Sequence, residues 1–196
     1  MSLPLKVTTK RQRPILDFDI ENRPLTYAGK DFTFGEVTAI AASFGPYEDM
    51  HCWLLGVDDP VVMLKEFTEF YNQAYMVTGH YIRKHDLPII NGAMLEYGLA
   101  PLGAKLTCDT YLDLVKIQGV SKSQENLSSM LGIEASKVGM SQMSWRSANR
   151  LEPGGLRKTE ARVTGDVRQH QALRVKLIEQ GMLTPPRVWS PRRAAS

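Results

Sequence analysis

The pattern of apolar and polar residues in the first third of the chain predicts three sequential strands. Apolar runs at residues 14–22, 32–44 and 51–56 have the length and composition of strands, and the turn-prone segment at 45–49 separates the last two. Their order along the chain is that of a meander, in which each strand pairs with the one before it. We therefore expect an antiparallel three-stranded unit at the start of the fold.

Helical periodicity then alternates with short apolar runs. The pattern predicts strands at 74–79 and 105–109 and helices at 58–75, 86–97, 111–118, from 121 through 131, and 159–180, the last after a turn at 153–155. A meander followed by alternating helices and strands predicts an α/β fold: a mixed sheet of about five strands, three antiparallel and then parallel, flanked by helices. We expect one domain over 14–183, an N-terminal extension at 1–13 and a basic, flexible tail at 184–196.

Charge is distributed unevenly along the chain. From Arg146 onward there are eleven Lys and Arg residues against four acidic ones, a net +7, which leaves −4 for the first 145 residues of a chain whose total is +3. This asymmetry suits a protein that holds a polyanion on one side and cations on the other, or a solvated helix with a basic tail. No membrane-spanning run and no secretory signal are recognisable, and Cys52 and Cys108 show no metal-site spacing, so we expect a cytoplasmic protein in a reducing compartment.

An acidic pair ends the first strand. Alternation along a strand sends Asp19 and Glu21 to the same side, about 7 Å apart at the backbone. Two converging carboxylates repel each other unless a cation lies between them, so the pair is either a cation site or a strand end turned to solvent. We expect Asp17 to face away from Asp19 and to take no part in such a site.

Four short motifs, in order along the chain, resemble those of the DEDD 3′–5′ exonucleases, the DnaQ-like group of the RNase H-like superfamily. They are Phe18-Asp19-Ile20-Glu21, Gly79 to Ile90 with its Asp86-Leu87-Pro88, Cys108 to Leu114, and Thr164-Gly165-Asp166-Val167. The resemblance spans residues 14–181. It implies an RNase H-like fold and a nuclease that removes nucleotides from the 3′ end of a single-stranded or frayed nucleic acid, DNA being favoured.

The resemblance also implies a site. Its catalytic and metal-binding quartet would be Asp19, Glu21, Asp86 and Asp166, which would hold two divalent cations, Mg²⁺ or Mn²⁺. One cation lowers the pKa of the attacking water and the other stabilises the leaving 3′ oxygen. Hard cations of this kind prefer carboxylate oxygens to His or Cys. The implied partners are a nucleic acid with a free 3′ end and a DNA polymerase or other replication protein, in a bacterial or phage-infected cell.

The motifs depart from the family pattern at three positions. Tyr81 and His85 stand where Asn and Phe are usual, and Arg162 stands where the family has the Tyr that precedes its last Asp. Three interpretations remain open. In the first, metal-bound hydroxide needs no side-chain base, or another side chain supplies one, with His170 the first candidate and His80 and His85 the alternatives. In the second, Arg162 grips a substrate phosphate and activity is modest. In the third, the domain has lost catalysis and only binds nucleic acid.

His170 is the first candidate because residues 162, 166 and 170 follow one stripe of the last helix. Tyr81, His85 and Arg162 are the expected nucleic-acid contacts. Further aromatic and basic side chains that suit a groove for single strands are Tyr111, Trp145, Arg146, Arg150, Arg157 and Lys158. Each has a structural alternative: Asp86 as a helix cap, Asp166 and His170 as a solvated helix face, the aromatic residues as core.

Overall fold

Six strands form one mixed sheet in the computed structural model, which describes residues 13–26, 33–45, 50–134 and 138–191. The strands are β1 (Ile15–Thr26), β2 (Thr33–Ser43), β3 (His51–Leu54), β4 (Met76–Gly79), β5 (Lys105–Asp109) and β6 (Arg187–Trp189), in the spatial order β3-β2-β1-β4-β5-β6. The first three strands pair antiparallel, β1, β4 and β5 pair parallel, and β6 returns antiparallel to β5. The predicted mixed α/β sheet is confirmed.

Five helices cover the sheet within the described residues: α1 (Pro60–Gln73), α2 (Asp86–Glu96), α3 (Gln124–Met130), α4 (Gln142–Asn149) and α5 (Pro153–Glu179). Asp59 caps α1 by accepting hydrogen bonds from the N–H groups of Val61 and Val62, as its place before Pro60 predicts. None of these helices is both long and apolar enough to span a bilayer.

The alternation along β1 assigns its two faces to different cores. Leu16, Phe18 and Ile20 are buried in the main core, together with apolar residues of α1 and α2. The opposite face carries the acidic residues, and in the register with β2 Asp19 lies opposite Ala41 and Glu21 opposite Ala39. These small alanines pack with Val163 and Val167 of α5. The last helix therefore lies against the acidic face of the central strand.

α5 begins earlier than predicted, because Pro153 occupies its first turn, where the missing N–H has no partner to lose. Gly155 lies against the preceding helix, and a Cβ added there would be 2.2 Å from the backbone N of Ala148. The Pro-Gly-Gly sequence is thus the start of a helix with a close helix–helix contact. The helix ends as predicted at Gly181, which has a positive φ of 66°.

The predicted helix at 111–118 does not form. The carboxylate of Asp109 accepts hydrogen bonds from the N–H groups of Tyr111 and Leu112, which turns the chain out of β5. The following backbone then bonds to a distant segment, with Val115 N donating to the carbonyl of Met182 and Thr184 N to that of Asp113. Long-range pairing thus replaces the local helical hydrogen bonds that the sequence pattern suggested.

The tail prediction also needs correction. Residues 187–189, expected to be loose, form the edge strand β6 against β5. Thr107 Oγ1 donates to the carbonyl of Arg187 at 2.7 Å and adds a side-chain bond to this pairing. Residues 1–12 of the predicted extension and 192–196 of the tail lie outside the described residues.

Candidate functional site

Four carboxylates from three elements line one open groove of about 710 Å³. Asp19 and Glu21 come from β1, Asp86 from the first turn of α2, and Asp166 from α5. The Asp86 carboxylate also accepts a hydrogen bond from the backbone N–H of Ile20, which ties it to β1. Asp86 does not cap its helix, since the N-cap position is His85. The structure therefore brings together the acidic quartet that the resemblance implied.

The cluster is electrostatically crowded. The pKa of Asp19 is raised well above its ordinary value, first by burial and then by the charges of Asp86, Asp166 and Glu21, while Arg162 acts in the opposite direction. Burial also raises the pKa of Asp86, although the hydrogen bond from His85 offsets part of that effect. The shift at Asp19 indicates that the ionised carboxylates repel one another there, a condition in which a carboxylate site gains from binding a cation.

Among the described residues, Arg162 is a cation that this cluster already holds. Its Nε donates to Oε1 of Glu21, and its Nη2 lies 3.9 Å from Oδ2 of Asp166, one helical turn along α5. The guanidinium carbon lies 5.4 Å from the centre of the Trp145 ring, a cation–π distance. The side chain therefore spans two of the four carboxylates.

The donor set of the cluster suits a hard divalent cation, since its ligands are carboxylate oxygens. Within the described ranges, however, no group of three or more His, Cys, Asp or Glu side chains is arranged so that it could hold a metal ion. Arg162 bonds directly to one of the candidate ligands. The residues thus fit a metal in chemistry, while the arrangement shown is one in which an arginine neutralises part of the cluster.

His170 does not reach the groove. It is buried beneath it, where Nε2 lies 3.0 Å from Thr78 Oγ1 and 3.4 Å from Asp17 Oδ1, and Nδ1 lies 3.3 Å from Thr110 Oγ1. The predicted stripe of residues 162, 166 and 170 does face β1, but only its first two members meet the groove. A general base must reach the water it deprotonates, so the position of His170 gives no support to that role.

The expectation that Asp17 faces away from Asp19 is wrong. Residues 17, 19 and 21 share one face by the same alternation, and Asp17 is buried against α5. Arg174 donates to both its carboxylate oxygens, each at 3.0 Å. Burial alone would raise the pKa of Asp17, but its contacts with His170 and Arg174 hold it below the ordinary value. Asp17 is therefore a structural anion that fixes α5 to β1.

Aromatic and imidazole side chains form the groove wall opposite α5. The Tyr81 and Tyr111 rings meet edge to face with their centres 4.8 Å apart, and His80 lies 5.5 Å from Tyr111. His85 Nδ1 is 3.4 Å from Asp86, and that hydrogen bond raises the pKa of the imidazole. Tyr81, His85 and Arg162, the expected nucleic-acid contacts, all line the groove. Four expected basic residues are not among its lining: Arg146, Arg150, Arg157 and Lys158.

A buried acidic pair holds the wall in place. The carboxylate of Asp109 accepts from the backbone N–H of Tyr81 and Arg83, in addition to its two bonds at the end of β5. Asp113 accepts from the Arg83 guanidinium at 2.5 Å and from the Asp109 N–H at 2.9 Å. Tyr81 itself has a φ of 70°, which is unusual for a residue other than glycine, so its conformation depends on these bonds.

Asp109→Asn should therefore loosen this wall without touching the acidic quartet. An amide offers one acceptor oxygen where four N–H donors need acceptors, and we expect a loss of about 2 kcal/mol of unfolding free energy. Urea unfolding measures the loss, and amide hydrogen exchange at Tyr81 and Arg83 should accelerate more than exchange in α1. Equal acceleration in both places would contradict a local role for Asp109.

Trp145, which the sequence offered as a groove residue, does line the groove, although the short helix α4 that carries it was not predicted. Sequence reasoning missed Gln124, whose side-chain amide donates to the carbonyl of Asp166 at 2.9 Å and joins α3 to α5 beside the cluster. The Ser-x-x-Gln pattern at 121–124 did signal the start of α3, although the capping residue is Ser123. For Asp113, the sequence indicated a structural role only in that an acidic residue lies within an otherwise apolar segment.

No family model matches this chain, and no curated protein matches it. Among solved structures, the family B DNA polymerase of the hyperthermophilic archaeon Pyrobaculum calidifontis is similar over 85% of this chain, with a TM-score of 0.62 and 16% sequence identity. The chain spans 25% of that polymerase's length. At this identity the likeness shows the fold alone. It agrees with the RNase H-like architecture expected from the motifs, whereas membership of the DEDD family stays a prediction.

Proposed function

We propose that this protein is a metal-dependent 3′–5′ exonuclease acting on single-stranded or frayed ends, with DNA as the favoured substrate. The observation that carries the proposal is the convergence of Asp19, Glu21, Asp86 and Asp166 on one open groove. The groove wall includes the aromatic rings of Tyr81 and Tyr111, a residue type on which bases stack. The fold is that of part of a DNA polymerase, which is in keeping with a nucleic-acid substrate and with a replication protein as partner.

In this proposal the four carboxylates hold one or two Mg²⁺ or Mn²⁺ ions, which supply activation of water and charge neutralisation at the scissile phosphate. The chain's own residues have separate tasks. Tyr81 and Tyr111 hold the terminal bases by stacking, and Asp109 keeps that wall in position. His85, which contacts Asp86 and is about half exposed, would exchange a proton with water in the groove.

The deciding experiment uses single-stranded DNA and RNA oligonucleotides labelled at the 5′ or the 3′ end, incubated with Mn²⁺, Mg²⁺ or EDTA. A metal-dependent ladder that shortens from the 3′ end, absent with EDTA, is the expected result with DNA. Release of label only from the 5′ end, or cleavage that persists in EDTA, would contradict the proposal.

A second candidate function has one observation in its favour. Arg162 neutralises Glu21 at a position where the resembled family carries a Tyr, which suits a domain that binds nucleic acid without cleaving it. In the same experiment this alternative predicts oligonucleotide binding with no degradation under any metal. Because one guanidinium stands against four carboxylates, the cluster keeps an excess of negative charge that a divalent cation would neutralise, and we therefore favour the enzyme.

A further inference from the structure

Arg162 stands in the one place where a nuclease of the proposed kind would need free carboxylate oxygens. It donates to Glu21 and lies 3.9 Å from Asp166. A divalent cation entering the cluster would have to share these oxygens with the guanidinium. Because two cations at one site repel each other, metal binding and this position of Arg162 oppose each other.

Within the part of the chain that the structure describes, the contacts that hold the outer part of the guanidinium are few and long. There Nη1 donates to the carbonyl of Val138 at 3.4 Å, and the 3.9 Å between Nη2 and Asp166 exceeds hydrogen-bond distance. The side chain keeps 18% of its surface exposed, and the groove that it faces is open. The ring of Trp145 supports its face, so the guanidinium can turn along that ring without losing all its partners. Leaving Glu21 therefore breaks one strong contact.

A phosphodiester would compete for the same guanidinium. Arg presents a planar fork of donors that matches phosphate oxygens in two-point contacts, and such charge-assisted bonds are stronger than a single-point contact with a carboxylate. A nucleic acid lying in the groove would bring a phosphate beside Arg162 and beside the acidic cluster together. If the guanidinium moves to that phosphate, Glu21 loses the contact with Arg162 as the phosphate arrives.

Building on the proposed function, we propose that Arg162 is an internal counter-cation that keeps the carboxylate cluster closed to divalent cations until a nucleic-acid phosphate draws it away. Metal and nucleic acid then bind cooperatively. Coupling between two sites is reciprocal, so the factor by which the oligonucleotide raises Mn²⁺ affinity equals the factor by which Mn²⁺ raises oligonucleotide affinity. In this way Arg162 prevents the carboxylate cluster from binding divalent cations before the nucleic acid is bound.

The test measures Mn²⁺ affinity by electron paramagnetic resonance of the free ion, which requires no turnover. Wild type, Arg162→Gln, Asp19→Asn and the control Arg168→Gln are titrated with and without a thymidine oligonucleotide of about ten residues carrying phosphorothioate linkages at its 3′ end. Arg168 is exposed on the same helix, so its replacement removes an equal charge away from the groove. A gel confirms that the oligonucleotide is intact after each titration.

In the wild type we expect the oligonucleotide to raise Mn²⁺ affinity about tenfold, within the roughly 5–150-fold range that coupled sites show. Arg162→Gln should bind Mn²⁺ about tenfold more tightly without the oligonucleotide and lose most of the enhancement, whereas Arg168→Gln should behave as wild type. Equal Mn²⁺ affinity in wild type and Arg162→Gln, alongside a loss of binding in Asp19→Asn, would overturn this inference alone. Unchanged Mn²⁺ binding in Asp19→Asn would overturn the proposed metal site and the inference with it.

Discussion

Asp19→Asn should abolish metal-dependent degradation, by at least about 10³-fold, while leaving the protein as stable as the wild type or slightly more so. Asp19 lies among the other three carboxylates, and its removal takes away the charge at the centre of the cluster. Losses of this size are typical when a charge that stabilises the transition state is removed. The same charge is costly without metal, so in EDTA we expect the unfolding free energy to rise by about 1 kcal/mol.

Both halves of this expectation can be measured on one preparation, by degradation of a 5′-labelled oligonucleotide and by urea unfolding in EDTA. Glu69→Gln serves as the control, because it removes an acidic charge from the exposed face of α1, outside the groove. Retained activity in Asp19→Asn would refute the site assignment. A marked loss of stability would show instead that Asp19 holds the fold together, and inactivity would then carry no information about catalysis.

The sequence alone was sufficient for five of the six strands, β1 to β5, because each has a local signature, whereas the edge strand β6 lies in a segment expected to be loose. Apolar alternation predicts β1. The small residues Ala39 and Ala41 indicate which face of β2 packs against a helix, but only once the register of β2 with β1 is known. The long-range pairings are what local patterns miss. The segment after Asp109 has helical periodicity, yet its backbone bonds are taken by residues 182–184, some seventy positions away.

The acidic quartet was predictable because its members stand in ordered motifs, whereas the role of Arg162 was not. Sequence position placed Arg162 one turn before Asp166, but its bond to Glu21 depends on how α5 crosses β1. The same crossing buries His170 against Asp17, although spacing along the helix put it on the stripe that includes Asp166. Helical periodicity determines which face of α5 a residue lies on. Only the packing of α5 on the sheet determines which residue of β1 it contacts.

Arg174→Met should destabilise the fold by about 3 kcal/mol at neutral pH, because it leaves the buried carboxylate of Asp17 without its two-point partner. Wild-type Asp17 is almost fully buried and bonded by Arg174 through Nε and Nη2. Breaking one side of a buried ion pair costs about 3–5 kcal/mol, since the remaining charge stays out of water. Because His170 still contacts Asp17, we expect a loss of unfolding free energy at the lower end of that range. Urea unfolding measures it, with Arg168→Met as the exposed control on α5.

The dependence of this loss on pH separates charge from packing. The pKa of wild-type Asp17 lies below its ordinary value, so its stabilising effect is present above about pH 4 and is lost as the pH falls through the lowered pKa. Without Arg174 that pKa should be higher than in the wild type, because burial is then offset by His170 without the arginine, so the carboxyl of the variant takes up a proton at a higher pH and its destabilisation then fades. The difference in unfolding free energy between wild type and Arg174→Met should therefore shrink as the pH is lowered from 7 towards 4.

The double variant Asp17→Asn/Arg174→Met should be destabilised by less than the sum of its two single changes. A loss that stays constant with pH and adds fully in the double variant would instead assign the effect to the packing of the arginine stem.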